Sequence, residues 1–465
     1  MTTATMNDDT ASLFAIPSPF SKPVLADFDG GALTSDAGVT LLSAAAARVS
    51  FADRLASLIP DARRPDRVIH DYSSQILSRV FAICAGYEDG NDLTKLRHDP
   101  AFRLSLGREP QSGYALCSQS TISRFENAPD KTSLRAMHRL LIGLYCERRE
   151  AANGGKPPNS ITLDIDETPD AVHGAGAQLA LFNGHYGMNC FLPIHIYELE
   201  TGYPVGQLLR TGAPPSGKEI RAVMRFVVRN IRRHWPDATI HWRGDARYAA
   251  PEVMTFLEQS NCDYTFGLTP NTRVRDLFAQ VGDAVKVRRV EKVGPEGTLR
   301  DFAEAQYAAK SWKDPNCSTQ LKTRRVIARM EASPHGYDLR CVVTSTKTAP
   351  AIVYESIYCQ RGDAENLIKL HKTQLASDRT SCETPEANQF RLILHTLAYW
   401  TMITLREAIP EGMSERRAQF ETLRGKLIKV AARVVEMKTR IRFFLSQHCP
   451  SADLLRMLCA RLAEP

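Results

Sequence analysis

Residues 151–160, AANGGKPPNS, divide a chain of 465 residues into two textures. After this Gly/Pro/Asn break the apolar residues alternate, which is the period of a strand. In ITLDID, Ile161, Leu163 and Ile165 point one way while Thr162, Asp164 and Asp166 point the other. NCFLPIHIYELETGYPVGQLL reads as two strands joined at Glu200-Thr201-Gly202. SGKEIRAVMRFVVRNIRRHWP is an amphipathic helix, ATIHWRGDARY a strand ending at Gly244, PEVMTFLEQ a helix and CDYTFGL a strand. The order strand, strand, strand, helix, strand, helix, strand predicts an α/β fold, a mixed sheet with helices on its faces.

Before the break the period is helical. LTSDAGVTLLSAAAARV is expected to start behind Ser35 or Asp36 as its cap, and HDYSSQILSRVFAICAGYEDGNDL continues the pattern. QSTISRFENAP, residues 119–129, reads as a short helix displaying Ser120, Thr121, Ser123 and Arg124. It suits either the reading helix of a helix-turn-helix or a surface helix of an all-α domain. The first twenty or so residues are polar and are read as disordered.

Residues 271–347 break into short runs, VKVRRVEKV, FAEAQYAAKSW, RRVIARMEA and DLRCVVTS, expected to be a β-rich insertion. Residues 387–409 are strongly apolar and helical, and residues 415–442 carry nine Lys/Arg against three Glu, as helix or hairpin. The expected segments are therefore 1–155, an α-helical N-terminal region; 156–270, the first part of an α/β core; 271–350, the insertion; 351–410, the rest of the core; and 411–465, a basic C-terminal region. A formal charge of +7 permits a polyanionic partner. The eleven Cys show no CxxC or Cys/His ligand spacing, so reduced thiols and no zinc are expected. No apolar run approaches membrane-spanning length and the N-terminus lacks the basic start of a signal peptide, so an intracellular protein is expected.

YCQRGDAENLIKLHK, residues 358–372, sorts its charges. At about 100° per residue, Tyr358, Arg361, Glu365, Lys369 and Lys372 share an arc of about 80°. A solvated face explains that alone, until the acids elsewhere are counted. Asp164 and Asp166 lie on the first strand, Asp245 at the end of a later one, and Glu365 on this helix. A crossing helix can bring such carboxylates together, and the cluster then needs a cation. Hard oxygen ligands suit Mg²⁺ or Mn²⁺, which keep sites for phosphate oxygens, and two such ions can drive an in-line displacement at phosphorus.

ITLDIDETPD, RGDARYAAPE and YCQRGDAENLIKLHK resemble the three catalytic segments of DDE transposases from bacterial insertion sequences. Tyr358, Arg361, Glu365 and Lys372 complete the Y-x2-R-x3-E-x6-K signature of the insertion-sequence-4-like superfamily. FNGHYGMNCFLPIHIYE, TGYPVG, SDRTSCETPEANQFRL and LHTLAYW are similar to the insertion sequence 1380 family. The resemblance implies a ribonuclease-H-like mixed sheet interrupted by the insertion, with Asp166, Asp245 and Glu365 as catalytic and metal-binding residues for two Mg²⁺ or Mn²⁺ ions. Asp164 is a rival for the first position and Asp363 a weaker rival for the last. Arg361, Lys369 and Lys372 would meet phosphates; Tyr358 would do so or pack against the sheet. Trp312 would stack on an unpaired base or be buried, and Lys322, Arg324 and Arg325 would track a backbone or simply be solvated. His173, His185 and His195 lack ligand spacing and are read as structural. The implied partners are double-stranded DNA, as inverted-repeat ends and target, and a second copy of the chain in a synaptic complex; the implied place is the cytoplasm, at the nucleoid. The alternatives are a domesticated, non-catalytic DNA-binding regulator and a ribonuclease-H-fold repair nuclease.

Overall fold

The computed structural model describes residues 13–172, 180–294, 296–314, 317 and 319–463. His173 lies outside them. In the N-terminal region Phe14–Ile16 pairs with Val24–Ala26, so the expected disorder does not extend across these residues. Helix α1 (Val39–Val49) begins two residues later than a cap at Asp36 would place it. Asp36 is buried instead, accepting from Ser35 Oγ (2.6 Å) and Tyr87 Oη (2.9 Å) and pairing with Lys429 (2.7 Å). Gly38 takes the cap position, where a Cβ would lie 1.8 Å from the Leu427 carbonyl oxygen. Helix α2 (Tyr72–Ala85) is capped by Asp71, which accepts from the Ser74 N–H, and ends at Gly86 with φ +86°. Helix α3 (Gln119–Glu126) is tied to α2 by a buried Arg79–Glu126 pair at 2.8 Å, and α4 (Lys131–Ala152) runs to the Gly/Pro break.

Beyond the break lie β1 (Ser160–Glu167), β2 (Ile194–Glu198), β3 (Pro204–Leu208), α5 (Gly217–His234), β4 (Thr239–Gly244), α6 (Pro251–Gln259) and β5 (Asp263–Leu268). The predicted order holds for the strands of the central sheet, but three unpredicted short strands, Asp170–Ala171, Leu181–Asn183 and Met188–Phe191, come between β1 and β2 and form a small sheet of their own. Ile161, Leu163 and Ile165 are fully buried, and a capping box between Ser216 and Glu219 starts α5.

The insertion departs from expectation in two ways. Residues 285–292, within VKVRRVEKV, belong to helix α7 (Thr272–Lys292), not to a strand. Asn271 caps it, accepting from the Val274 N–H, and Val274, Phe278, Gly282 and Val285 form a buried helical stripe. Val287 and Val290, which made the run look alternating, face solvent. The three following strands, β6 (Leu299–Tyr307), β7 (Arg324–Ser333) and β8 (Gly336–Thr344), are no separate body, because β8 pairs with β5. One eight-stranded sheet results, in the order β6-β7-β8-β5-β4-β1-β2-β3. Within it β1, β4 and β5 are parallel and the other neighbours antiparallel.

A helical run from Ile352 to Gln374 follows, with α8 (Gly362–Lys369) as its regular part between two wide π-type turns. Helix α9 (Pro385–Glu407) is buried on every side over Ala387–Leu405, as an all-round apolar helix must be. It packs on α1 and α2 on one side and on β3 on the other, and a single apolar core runs from Val39 to Leu462. The basic tail resolves as both: helical turns over Ser414–Arg417, Phe420–Leu423 and Arg424–Ile428, then a hairpin, β9 (Ala432–Glu436) and β10 (Ile441–Leu445), followed by helix α10 (Ala452–Ala463). Among the described residues no helix is long and apolar enough to cross a membrane.

Candidate active site at the ends of two parallel strands

The β1–β4 register sets Arg243 opposite Asp164. Asp245 follows just beyond the paired residues, near enough to Asp166 for its charge to act on that carboxyl. Asp245 lies just past β4, where its carboxylate accepts from the Arg247 N–H at 2.9 Å. Glu365 comes from α8. Arg361, one helical turn earlier, donates to Glu365 Oε1 (3.2 Å) and to Asp166 Oδ2 (3.1 Å). The guanidinium thus stands between carboxylates that would otherwise repel. Burial drives the Asp166 carboxyl up to about 6; Arg361 opposes this, and the charges of Asp245 and Glu365 add to the rise. Glu365 is 62% exposed, free to turn toward a ligand.

Among the described residues no three His, Cys, Asp or Glu side chains are arranged to hold a metal ion. Arg361 supplies the compensating charge in their place. The hard oxygen donors here are the carboxylates of Asp166 on β1, Asp245 just past β4 and Glu365 on α8, and the charges of the last two act on the first.

Asp164 is differently engaged. Arg243 grips both its oxygens, at 2.7 and 2.6 Å, with both side chains buried, and the third Arg243 nitrogen donates to the Ile357 carbonyl at 2.6 Å. This ties β1 and β4 to the helical run that carries Glu365. Asp363 is exposed on α8. Tyr358 packs against Tyr354, its hydroxyl over β5 where Gly267 leaves room; a Cβ there would meet Tyr358 Oη at 2.7 Å and Ala246 N at 2.9 Å. Lys372, within the second π-type turn, reaches the segment after β1, donating to Thr168 Oγ1 (3.3 Å) and the Pro169 carbonyl, with Asp170 at 3.9 Å. Lys369 is exposed on α8, and Arg124 is exposed on α3 beside Thr121 (3.4 Å).

Other positions sit elsewhere than a nucleic-acid contact requires. Trp312 is 3% exposed, edge-on to Tyr307 and under the Arg324 guanidinium, so its ring offers no free face to a base. Lys322 and Arg324 both pair with Glu258, and Arg325 with Glu304, so this run is neutralised by acids of the chain itself. His195 is buried against Tyr197 and His371, and His185 packs on Tyr186. Two residues near the cluster were not singled out from sequence. Burial pushes Glu167 up to about 7, and it pairs with Arg247 at 2.6 Å. Alternation puts Glu167 on the face opposite Asp166, although Pro169 just after it signals that the strand ends there.

The family described as Transposase DDE domain group 1 matches residues 16–465. The chain belongs to this family. No curated protein matches this DDE transposase. It is similar to the piggyBac transposase in a cryo-electron-microscopy structure of a synaptic complex with hairpin DNA. The identity is 13%, over 85% of this chain and 80% of that one. The TM-score of 0.41 is too low for the likeness to bear on the site.

Proposed function

We propose that this transposase, of the insertion sequence 1380 kind, cuts DNA at the inverted-repeat ends of its element and joins the freed ends to a target. Its central sheet, with three antiparallel strands followed by two parallel ones, suits a ribonuclease-H-like catalytic core. The observation that carries the reading is the meeting of Asp166 and Glu365 on Arg361, beside Asp245 at the ends of β1 and β4. Asp166, Asp245 and Glu365 would hold Mg²⁺ or Mn²⁺, two ions; when bound, such ions neutralise charge at phosphorus and activate the attacking oxygen.

The chain's own residues position the DNA. Arg361 can release its carboxylates and take a phosphate with two parallel hydrogen bonds. Lys369 and Lys372 add point charges along the same helical run, and Tyr358 lies close enough to Arg361 and Asp245 to steady both. Water would attack first, and the freed 3′-hydroxyl would then attack the target, without a covalent protein intermediate. Arg124 and the N-terminal helices would contact the element ends, and two copies of the chain would join two ends in the cytoplasm. Trp312 is left out of the DNA contacts because its ring is buried.

The test incubates purified protein with labelled duplexes bearing candidate ends and Mg²⁺. Glu365→Gln should abolish cutting while leaving end binding nearly intact. Equal cutting by both proteins would refute the assignment of Glu365. Binding by the wild type without cutting, whatever the metal, would favour a regulator.

A further inference from the structure

We propose that the C-terminal hairpin β9–β10 enters the major groove of duplex DNA and reads it. The register sets Arg433 opposite Phe444 and Val435 opposite Arg442. Arg433 and Arg442 both lie over the Phe444 ring, at 5.0 and 4.3 Å, so one aromatic holds two guanidinium groups on one face of the ribbon. Arg440 precedes this strand in the turn and is exposed. The opposite row is the anchor: Val434 is buried, and Phe443 packs on Ala37, Val430 and Ala432.

The hairpin's acid does not neutralise this row. Glu436 accepts from the backbone N–H groups of Gln111 (2.9 Å) and Ser112 (3.0 Å) and from Ser112 Oγ (2.5 Å), while its own N–H donates to Gln111 Oε1 (3.0 Å). The carboxylate is spent on fixing the hairpin to the N-terminal region. Just beyond it the turn, closed by Met437 N–H to the Arg440 carbonyl at 2.9 Å, leaves Lys438 and Arg440 exposed. The short strand Leu33–Thr34 pairs with Ala432 and Arg433, and Val434 N–H donates to the Ala32 carbonyl (2.8 Å), so the hairpin beyond Val434 is a two-stranded ribbon. The major groove admits such a ribbon, and arginine is the side chain that grips guanine O6 and N7 with two bonds. Duplex DNA is therefore the partner that the charge, the width and the rigid stacking favour together. The inference rests on the transposase reading for the source of that duplex.

The test selects a binding sequence from a randomised duplex pool with the full chain. It then compares wild type with a Lys438→Ala, Arg440→Ala double variant; both positions are exposed, so folding is untouched. The variant should bind about tenfold or more weakly, and its salt slope should fall by about 0.9 for each phosphate contact removed. Guanine N7 protection from dimethyl sulfate, present with wild type, should fade at the bases the hairpin covers. Unchanged affinity, slope and N7 protection would overturn the proposal, as would equal competition by single-stranded DNA or RNA. Wild-type cutting alongside such a result would sink the hairpin and spare the transposase reading. N7 protection by a wild type that never cuts would do the reverse.

Discussion

The Asp164 carboxylate accepts two parallel hydrogen bonds from Arg243, at 2.7 and 2.6 Å, where neither side chain sees solvent. An ion pair held this way commits both Asp164 oxygens to Arg243, although Asp164 shares a strand face with Asp166. Asp164→Ala should therefore act on stability, costing about 3–5 kcal/mol by stranding the buried Arg243 charge. Urea unfolding measures this, and adding Arg243→Met should recover part of the loss. A stable Asp164→Ala protein that no longer binds Mn²⁺ would make Asp164 a ligand after all.

Arg361 makes the opposite prediction for binding and cutting. It now competes with any cation for Asp166 and Glu365. In Arg361→Ala the carboxylates lose that counter-charge, so calorimetry should find Mn²⁺ bound at least as tightly as by wild type. Cutting should nonetheless fall by about a hundredfold or more, since a bidentate grip on phosphate is lost. Weaker Mn²⁺ binding by the variant would mean that Arg361 organises the carboxylates rather than occupying them.

Local rules in the sequence place Asp245 at a strand end and Arg361 and Glu365 one helical turn apart, but alternation puts Asp164 and Asp166 on one face alike, and the preference for Asp166 comes from the resemblance to DDE transposases. What tertiary partners decide is not legible in this way. Asp36 looked like a cap, but Lys429 and Tyr87, distant in sequence, hold it in the interior. VKVRRVEKV offers valines at both periods, and the packing of α7 on β6 and β7 chose the helix. The insertion looked separate because sequence does not reveal that β8 pairs with β5. Trp312 could have faced DNA or core, and Tyr307 and Arg324 enclose it.

Gly267 couples two parts of the site. Its missing Cβ accommodates both the Tyr358 hydroxyl and the backbone at Ala246, next to Asp245. Gly267→Ala should push these apart at a stability cost of about 1–3 kcal/mol. Cutting should drop more than that cost explains, because Asp245 moves relative to Asp166. The check compares cutting rates with circular dichroism at a temperature where both proteins are folded; unchanged cutting would remove Gly267 from the site's support.

His371 gives a pH dependence with a fixed sign. It is fully buried between β2 and α9, sharing a 3.0 Å hydrogen bond with the Tyr197 hydroxyl and packing against His195 and Tyr399, and burial lowers it to about 3. The unfolded chain takes up a proton near pH 6.5 while the folded chain does not. Its contribution is complete above about pH 6.5 and is lost as pH falls toward 3, by up to about 1.4 kcal/mol per pH unit. His371→Leu removes that slope and leaves the Tyr197 hydroxyl without its partner. The variant should be about 1–3 kcal/mol less stable than wild type at about pH 8. The gap should narrow steadily between about pH 6.5 and 5. Denaturant midpoints for both proteins across that range decide it, and a gap that widens on acidification would show that His371 is charged in the folded chain.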